Sequence, residues 1–248
     1  MDKKEDILKD MAKVYDRDAR AFAEQSSQLI TWKFIGSRAL DKSLAEFYGK
    51  KDIKVLDQGS ASGRVVEHLI QNGIPPENID AIEISPEQVK IAEAKNLGAH
   101  FRVGDLRKDA LPQNTYNVVT RHMVDEHLDN EGLLEVSKNT FNSLKPGGTL
   151  VVVFTHPDKI TASAGVDKEG WFETTFPWKG PDGELEKGQN YFRTVDSYIK
   201  ILEKAGFVID SVEDWKIPPE AEYANKAEYE KYKSYGNVRL AVKAHKPI

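Results

Sequence analysis

The sequence predicts an α/β fold in which a mostly parallel sheet is covered by helices on both faces. From residue 52 onward, short apolar runs alternate with amphipathic segments, which is typical of strands linked by crossover helices. Right-handed crossovers between parallel strands favour a doubly wound arrangement. The chain has 248 residues, of which 40% are hydrophobic, and this is ample for an extensive core.

Residues 1–50 are predicted to form a helical cap on this sheet. Ile7, Met11, Val14 and Phe22 recur at helical spacing, with lysines and aspartates between them. Such a pattern places the apolar side chains on one face of a helix. We therefore expect the cap to pack its apolar face against the rest of the molecule.

Residues 51–154 carry the core of the predicted sheet. The segment from Arg64 to Asn72 has helical periodicity and ends at Gly73. Ser85, followed by Pro86, predicts the start of the next helix, and a third helix is expected around residues 131–144. The strands are expected at residues 53–56, 79–84, 100–103, 117–120 and 150–154.

The pattern changes after residue 154. Residues 155–193 hold six aromatic side chains beside glycines and prolines, and we expect them to form an irregular aromatic lid inserted over the sheet. A helix over residues 194–205 and strands near 207–212 and 238–244 then complete a seven-stranded sheet. All these parts, 1–50, 51–154, 155–193 and 194–248, are expected to belong to a single domain.

Composition excludes several classes of function. The chain has no cysteine, which excludes disulfide scaffolds, zinc–thiolate sites and thiolate nucleophiles. The formal net charge of −5 disfavours a nucleic-acid binder. The charged N-terminal segment is unlike a signal peptide, and no apolar run is long enough to span a membrane. We therefore expect a cytoplasmic protein.

Small and acidic residues follow the first three predicted strands. Ligands of doubly wound sheets bind beyond the carboxyl ends of the strands, so these positions are the candidates for a binding site. The first strand is followed by D-x-G-x-A-x-G over residues 57–63, a spacing that matches neither the nicotinamide fingerprint nor a phosphate-binding P-loop. Glu83 ends the second strand, and Asp105 follows the third.

These elements, together with LPQNTYNVV and LKPGG further along, resemble the class I S-adenosylmethionine-dependent methyltransferases over residues 54–154. The resemblance implies a Rossmann-like fold and S-adenosyl-L-methionine as the cofactor, with S-adenosyl-L-homocysteine as the product. It assigns the cofactor's amino-acid end and sugar to the glycine turn, the ribose hydroxyls to Glu83, and the adenine to the segment after the third strand. The cofactor-binding residues that it implies are Asp57, Gly59, Ser60, Ala61, Gly63, Glu83, Ile84, Asp105, Leu106 and Arg121.

The acceptor of the methyl group is predicted to be a small molecule. The aromatic lid resembles that of ubiquinone- and menaquinone-biosynthesis-type methyltransferases, whose members act on varied small molecules. Aromatic faces can stack on a planar substrate or stabilise a cation, although the same rings could instead form a satellite core. The candidate substrate-binding residues are Trp171, Phe176, Trp178 and Tyr191.

Two alternatives to a small-molecule enzyme stay open. One is a methyltransferase acting on RNA or protein, and the other is a non-catalytic, cofactor-binding partner subunit.

No divalent metal is expected, because the sequence shows no carboxylate and amide cluster of the metal-dependent type.

Two histidines are candidates for a general base. His122 and His156 follow the fourth and fifth predicted strands, at the sheet edge where the methyl group should lie. An imidazole there could take a proton from an acceptor near neutral pH. His127 is interpreted as structural. Arg121 is expected to contact the cofactor through its backbone or to pair with an anionic substrate.

Overall fold

The computed structural model describes residues 3–180 and 182–248 and contains the predicted seven-stranded sheet. The strands are β1 (Val55–Gln58), β2 (Ile79–Glu83), β3 (His100–Val103), β4 (Tyr116–His122), β5 (Leu144–Thr155), β8 (Val208–Lys216) and β9 (Asn237–His245). Their order in the sheet is β3-β2-β1-β4-β5-β9-β8: the first five are parallel to one another, β9 is antiparallel to β5, and β8 is antiparallel to β9. The order reverses between β1 and β4, which is where a doubly wound sheet binds its ligands.

Helices cover both faces of this sheet, as predicted. Those that follow the core strands are α4 (Arg64–Gln71), α5 (Pro86–Ala94), α6 (Asn130–Ser143) and α8 (Val195–Ala205). The Oγ atom of Ser85 accepts a hydrogen bond from the backbone N–H of Gln88, so Ser85 caps α5 as its sequence indicates. The central strands are buried on both faces, since leucines, valines and isoleucines from both sides of the sheet form two large apolar clusters.

The N-terminal cap is helical as predicted. It consists of α1 (Lys3–Arg17), α2 (Ala19–Ser26), a π-helical turn (Trp32–Gly36) and α3 (Ser37–Leu44). The π-helical turn brings the backbone of Gly36 against the ring of His122, where a β-carbon at position 36 would lie 2.6 Å from Nε2. The cap therefore reaches the carboxyl edge of the sheet.

The segment predicted as an irregular lid is instead regular. Helix α7 (Pro157–Ala164) is followed by an antiparallel hairpin of β6 (Gly170–Lys179) and β7 (Leu185–Phe192), separate from the main sheet. Two contacts hold the hairpin against the cap. The side-chain amide of Gln25 donates to the backbone carbonyl of Lys179 and accepts from its backbone N–H, and Arg17 forms an ion pair with Glu186 at 2.6 Å. Gly188 and the register shift between Thr175 and Lys179 interrupt the two-residue alternation that would otherwise indicate these strands.

A final helix closes the same side of the molecule. Helix α9 (Lys226–Lys233) lies between β8 and β9, and Asn225 caps it by accepting a hydrogen bond from the backbone N–H of Glu228. Its Tyr229 and Tyr232 are buried against apolar residues of the cap, including Ile30 and Ile35.

Candidate active site

A cavity of about 700 Å³ lies at the carboxyl edge of the sheet, at the point where the strand order reverses. Its floor consists of the loops that follow β1, β2, β3 and β4. Its walls come from α1, α2, the hairpin, α7 and α9. Most of the sequence-predicted site residues lie in its lining, and so do several that the sequence did not single out.

The glycine turn forms part of the floor. Gly59 has φ +73°, and a β-carbon there would overlap a methyl group of Val124. Gly63 has φ +85°, and a β-carbon there would lie 3.1 Å from the ring of Phe101. Both glycines are therefore needed for conformation and for space. Ala61 adopts φ +47° without a glycine, so its methyl group is accommodated.

Glu83 links this turn to the end of β2. One carboxylate oxygen accepts a hydrogen bond from the backbone N–H of Ala61 (2.9 Å), and the other accepts from Ser85 (3.0 Å). Burial raises the pKa of Glu83, while these backbone hydrogen bonds oppose the rise. The side chain is 8% exposed and lines the cavity, and its oxygens keep lone pairs that can accept hydrogen bonds from a diol.

Two polar atoms under the turn have no hydrogen-bond partner. Asp57 Oδ1 accepts from the hydroxyl of Thr120 at 2.7 Å, whereas Oδ2 has none, and the buried Oγ of Ser60 also has none. Burial raises the pKa of Asp57 to about 7, against the hydrogen bond from Thr120. Ser60 lines the cavity itself, and Asp57 lies beneath it. Unpartnered polar atoms at this position are consistent with a polar ligand that binds on the cavity floor and supplies the missing hydrogen bonds.

The loop after β3 lies beside the same floor. Ile84, Leu106 and Asp105 line the cavity, so the structure brings together the residues assigned to the adenine. The carboxylate of Asp105 also accepts hydrogen bonds from the side chain of Arg107, at 2.8 Å from Nη2 and 3.1 Å from Nε. Arg107, which the sequence analysis did not single out, therefore orients this carboxylate.

An aromatic cluster lines the wall opposite the floor. Phe176 and Trp178 of the hairpin are stacked with their ring centres 4.4 Å apart. Tyr15 of α1 packs on Trp178 at 5.4 Å, and Phe22 of α2 contacts it edge-on at 5.0 Å. We call Tyr15, Phe22, Phe176 and Trp178 the aromatic wall. Two of its four members were expected from the sequence.

The other two predicted substrate residues lie elsewhere. Trp171 and Tyr191 face each other across the hairpin, with their ring centres 5.4 Å apart, and neither lines the cavity. They occupy hairpin positions that the two-residue alternation separates from Phe176 and Trp178. The structure therefore does not bring these two predicted substrate residues into the cavity lining.

His127 lies in the cavity, although the sequence indicated a structural role. It belongs to a short 3₁₀ turn, and its Nε2 is 3.0 Å from the hydroxyl of Tyr15. Burial lowers the pKa of His127 and raises that of Tyr15 well above its usual value. At neutral pH the pair therefore consists of an uncharged imidazole and a phenol.

His122 also lines the cavity, as predicted. Burial lowers its pKa well below the usual value, and the nearby cations Arg64 and Arg239 lower it further. The edge of Trp32 packs on the ring, and Nε2 has no hydrogen-bond partner. His122 is therefore a neutral imidazole whose Nε2 faces the backbone of Gly36.

The structure does not place His156, the second predicted base, in the cavity lining. It caps α7, since its Nδ1 accepts a hydrogen bond from the backbone N–H of Asp158 at 3.0 Å. Its Nε2 is 3.0 Å from a carboxylate oxygen of Asp214. With both ring nitrogens engaged and the side chain outside the cavity lining, His156 has a structural role.

Arg121 does not present its side chain to the cavity, so it is not placed to pair with an anionic substrate there. Its side chain is fully buried away from the cavity, 3.3 Å from both a carboxylate oxygen of Asp125 and the hydroxyl of Ser137. Asp125 additionally accepts a hydrogen bond from Tyr198 at 2.5 Å, and Arg193 donates to the backbone carbonyls of Asp125 and Leu128. This network holds the turn that carries His127.

Within residues 3–180 and 182–248, no group of three or more His, Cys, Asp or Glu side chains is arranged to hold a metal ion. No helix in the same ranges is long and apolar enough to cross a membrane.

Comparison with known proteins is consistent with this geometry. Residues 32–212 match a family described as "Methyltransferase domain". A Streptomyces griseus N-demethylindolmycin N-methyltransferase is 24% identical over 76% of this chain and 84% of its own length. A Caenorhabditis elegans alpha N-terminal protein methyltransferase 1 is 27% identical over 60% of each chain. The fold matches an S-adenosylmethionine-dependent methyltransferase from Mesorhizobium loti with a TM-score of 0.63, at 19% identity, over 84% of this chain and 98% of that one.

Proposed function

The chain belongs to the methyltransferase domain family and is an S-adenosylmethionine-dependent methyltransferase, and we propose that its acceptor is a small molecule. The observation that carries the proposal is the walled cavity of about 700 Å³. The Streptomyces griseus relative, named for N-methylation of one compound, N-demethylindolmycin, supports this choice. Within the family, we propose the ubiquinone- and menaquinone-like subgroup, whose members act on varied small molecules.

In this proposal the floor of the cavity holds the cofactor. Glu83 accepts hydrogen bonds from the ribose hydroxyls, and the glycine turn allows the ligand to approach the backbone closely. The unpartnered Oγ of Ser60 meets the amino-acid end, with Asp57 fixing the turn beneath it. Ile84 and Leu106 cover the adenine, and Asp105 accepts from its amino group.

The wall then holds the acceptor. S-adenosylmethionine supplies a methyl group already activated by a sulfonium centre, so the protein contributes mainly in-line positioning and exclusion of water. The faces of the aromatic wall are suited to a cationic centre and to a planar acceptor. We propose that transfer to O, N or C is a single SN2 displacement.

His127 replaces His156 as the proposed general base. A neutral imidazole can accept a proton from the acceptor, and Tyr15 orients it from 3.0 Å. His122 stays a candidate, because it is uncharged and lies in the same cavity. An acceptor whose attacking atom carries no proton needs neither group.

The proposal is tested with methyl-labelled S-adenosylmethionine and a cell extract divided into a low-molecular-mass filtrate and a macromolecular fraction. We expect label in the filtrate with the wild-type protein, and a large loss of this label with Glu83→Ala. Glu87→Ala is the matched control, because Glu87 is an exposed glutamate next to the same strand end. Label in protein or RNA would show a macromolecular acceptor, and no transfer to either fraction would favour a partner subunit.

A further inference from the structure

The end of the cavity that β9, α7 and α9 line is rich in basic side chains. Arg239 of β9, Lys159 of α7 and Lys231 of α9 all line this end. We call these three residues the basic end. Three separate elements contribute them, which explains why no local sequence pattern revealed the group.

Arg239 is buried without a charged partner. Its side chain is 6% exposed, Nη1 donates to the backbone carbonyl of Val238 at 3.1 Å, and Nε has no hydrogen-bond partner. Taking a guanidinium out of water is costly unless its donors are satisfied. An unsatisfied donor in the wall of a cavity indicates that a ligand supplies the missing acceptor.

The local charges do not balance. Arg64 also faces this region and donates to the backbone carbonyl of Ser26, so four cations are present. Among the described residues, the carboxylates of Glu126 and Glu228 also line the cavity, and the charge of Glu126 opposes the lowering of the pKa of Lys159 and of Arg239. In the part of the chain that the structure describes, none of these four cations is within ion-pair distance of a carboxylate. The region therefore carries an excess of positive charge.

The ionisation of neighbouring groups reflects this excess. Burial lowers the pKa of Lys159 to about 8, and the charge of Arg239 is the next cause. Burial likewise lowers the pKa of Arg64 to about 10, again with Arg239 contributing. A bound anion would favour the protonated form of each group.

The basic end is separated from the glycine turn by a distance that suits a small molecule. Arg239 lies opposite Thr155 at the carboxyl end of β5, and the turn follows β1. The sheet order places β4 and β5 between β1 and β9, so three strand spacings of about 4.8 Å give roughly 14 Å. The backbone of Arg239 is therefore well separated from that of the turn, which leaves space within the cavity for an acceptor.

We propose that the acceptor carries an anionic group, a carboxylate or a phosphate monoester, which binds between Arg239, Lys159 and Lys231 while the aromatic wall holds its body. The inference rests on the proposed small-molecule function and extends it to the chemical class of the acceptor. Arg239 and Lys159 are then specificity-determining residues, because a neutral analogue would leave their donors unsatisfied.

Binding of probe molecules tests the inference directly. Protein saturated with S-adenosylhomocysteine is titrated with benzoate, phenyl phosphate and the neutral benzamide in a calorimeter. We expect at least one of the two anions to bind at least ten-fold more tightly than benzamide, and the tighter anion shows which anionic group the site prefers. Equal affinity for all three compounds, or preference for benzamide, would overturn the inference.

Single substitutions show which side chains bind the anion. Lys159→Met removes the charge and keeps an unbranched side chain of similar length, and Arg239→Gln removes the charge at the buried position and leaves a shorter polar side chain. Each is expected to weaken anion binding at least ten-fold while leaving the affinity for S-adenosylhomocysteine unchanged. Lys200→Met, at an exposed position on α8, is the control and should change neither affinity. If Arg239→Gln unfolds, Lys159→Met alone decides the result, and unchanged anion binding in that variant would contradict the inference.

The labelled product separates this inference from the proposed function. A methylated product in the filtrate that is retained by an anion-exchange resin supports both. A neutral or cationic product in the filtrate overturns the anionic acceptor and leaves the small-molecule function intact. Label in protein or RNA overturns the small-molecule function itself.

Discussion

Buried polar atoms without partners are concentrated around the cavity. Ser60 Oγ, His122 Nε2, Glu126 Oε2 and Arg239 Nε all belong to residues that line it. Each such atom costs free energy unless a ligand or water satisfies it. These residues therefore lower the stability of the free protein, and ligand binding should raise it by mass action.

Glu83 is the residue whose removal should affect the cofactor most selectively. Glu83→Ala deletes the acceptor of the ribose hydrogen bonds and the partner of the Ala61 backbone N–H. Loss of charge-assisted hydrogen bonds should weaken S-adenosylmethionine binding by about 1.5–3 kcal/mol, roughly ten- to hundred-fold in Kd. Calorimetry measures the loss, with Glu87→Ala as the control. Wild-type affinity in Glu83→Ala would refute the role of Glu83.

The sequence predicts site residues well where a local pattern determines them. Glu83, Ser60 and Asp105 all line the cavity, because each ends or follows a strand and strand ends meet at one edge of the sheet. The same rule failed for His156, because a residue after a strand can equally cap the next helix. The roles of Tyr15 and Arg239 depend on contacts between distant elements, so nothing in the neighbouring sequence signals them.

At the scale of elements, the turn between β1 and α4 is the most constrained connection. Gly59 and Gly165 have nearly the same backbone conformation, with φ +73° and φ +68°. A β-carbon at position 59 would overlap Val124. A β-carbon at position 165 would have no atom of the described residues within 4 Å, apart from its chain neighbours and the backbone of its own helix. The two positions therefore separate backbone strain from steric exclusion.

This pair gives a matched test of the turn. Gly165→Ala should cost only left-handed strain, about 1–2 kcal/mol of unfolding free energy, and should leave cofactor affinity unchanged. Gly59→Ala should cost more and should also weaken S-adenosylmethionine binding, because the turn has to move away from Val124. Denaturant unfolding and calorimetry measure the two effects. Equal stability and equal affinity in both variants would contradict this account of the turn.

The hairpin shows where prediction of elements fails. Its aromatic content was recognised, but its regular pairing was not, because Gly188 and the break between Thr175 and Lys179 interrupt the alternation. At Gly188, a β-carbon would lie close to Phe176 and to the sulfur of Met11. Packing of the hairpin against α1 therefore constrains this position, and such tertiary contacts cannot be read from local periodicity.

For the whole molecule, Asp57 should make stability depend on pH. Its pKa in the folded protein is about 7, raised by burial from its ordinary value of 3.8. The folded state therefore binds more protons than the unfolded state between these pH values, and stability falls as pH rises through this window. At 1.36 kcal/mol per pKa unit, the unfolding free energy lost across this window is on the order of 4 kcal/mol.

Asp57→Asn removes this titration while keeping the acceptor for the hydroxyl of Thr120. Denaturant unfolding of both proteins from pH 4 to pH 8 should show the wild type losing stability relative to the variant as pH rises. Parallel curves for the two proteins would contradict the raised pKa of Asp57.

We propose that a single cavity holds both the cofactor and the acceptor. The most direct test is a crystal structure of the protein with S-adenosylhomocysteine bound. We predict the ribose hydroxyls on Glu83, the adenine beside Leu106, and the sulfur facing Tyr15 and Trp178, with the basic end still accessible beyond it. A cofactor product whose sulfur faces bulk solvent, or which fills the cavity as far as Arg239, would contradict the claim.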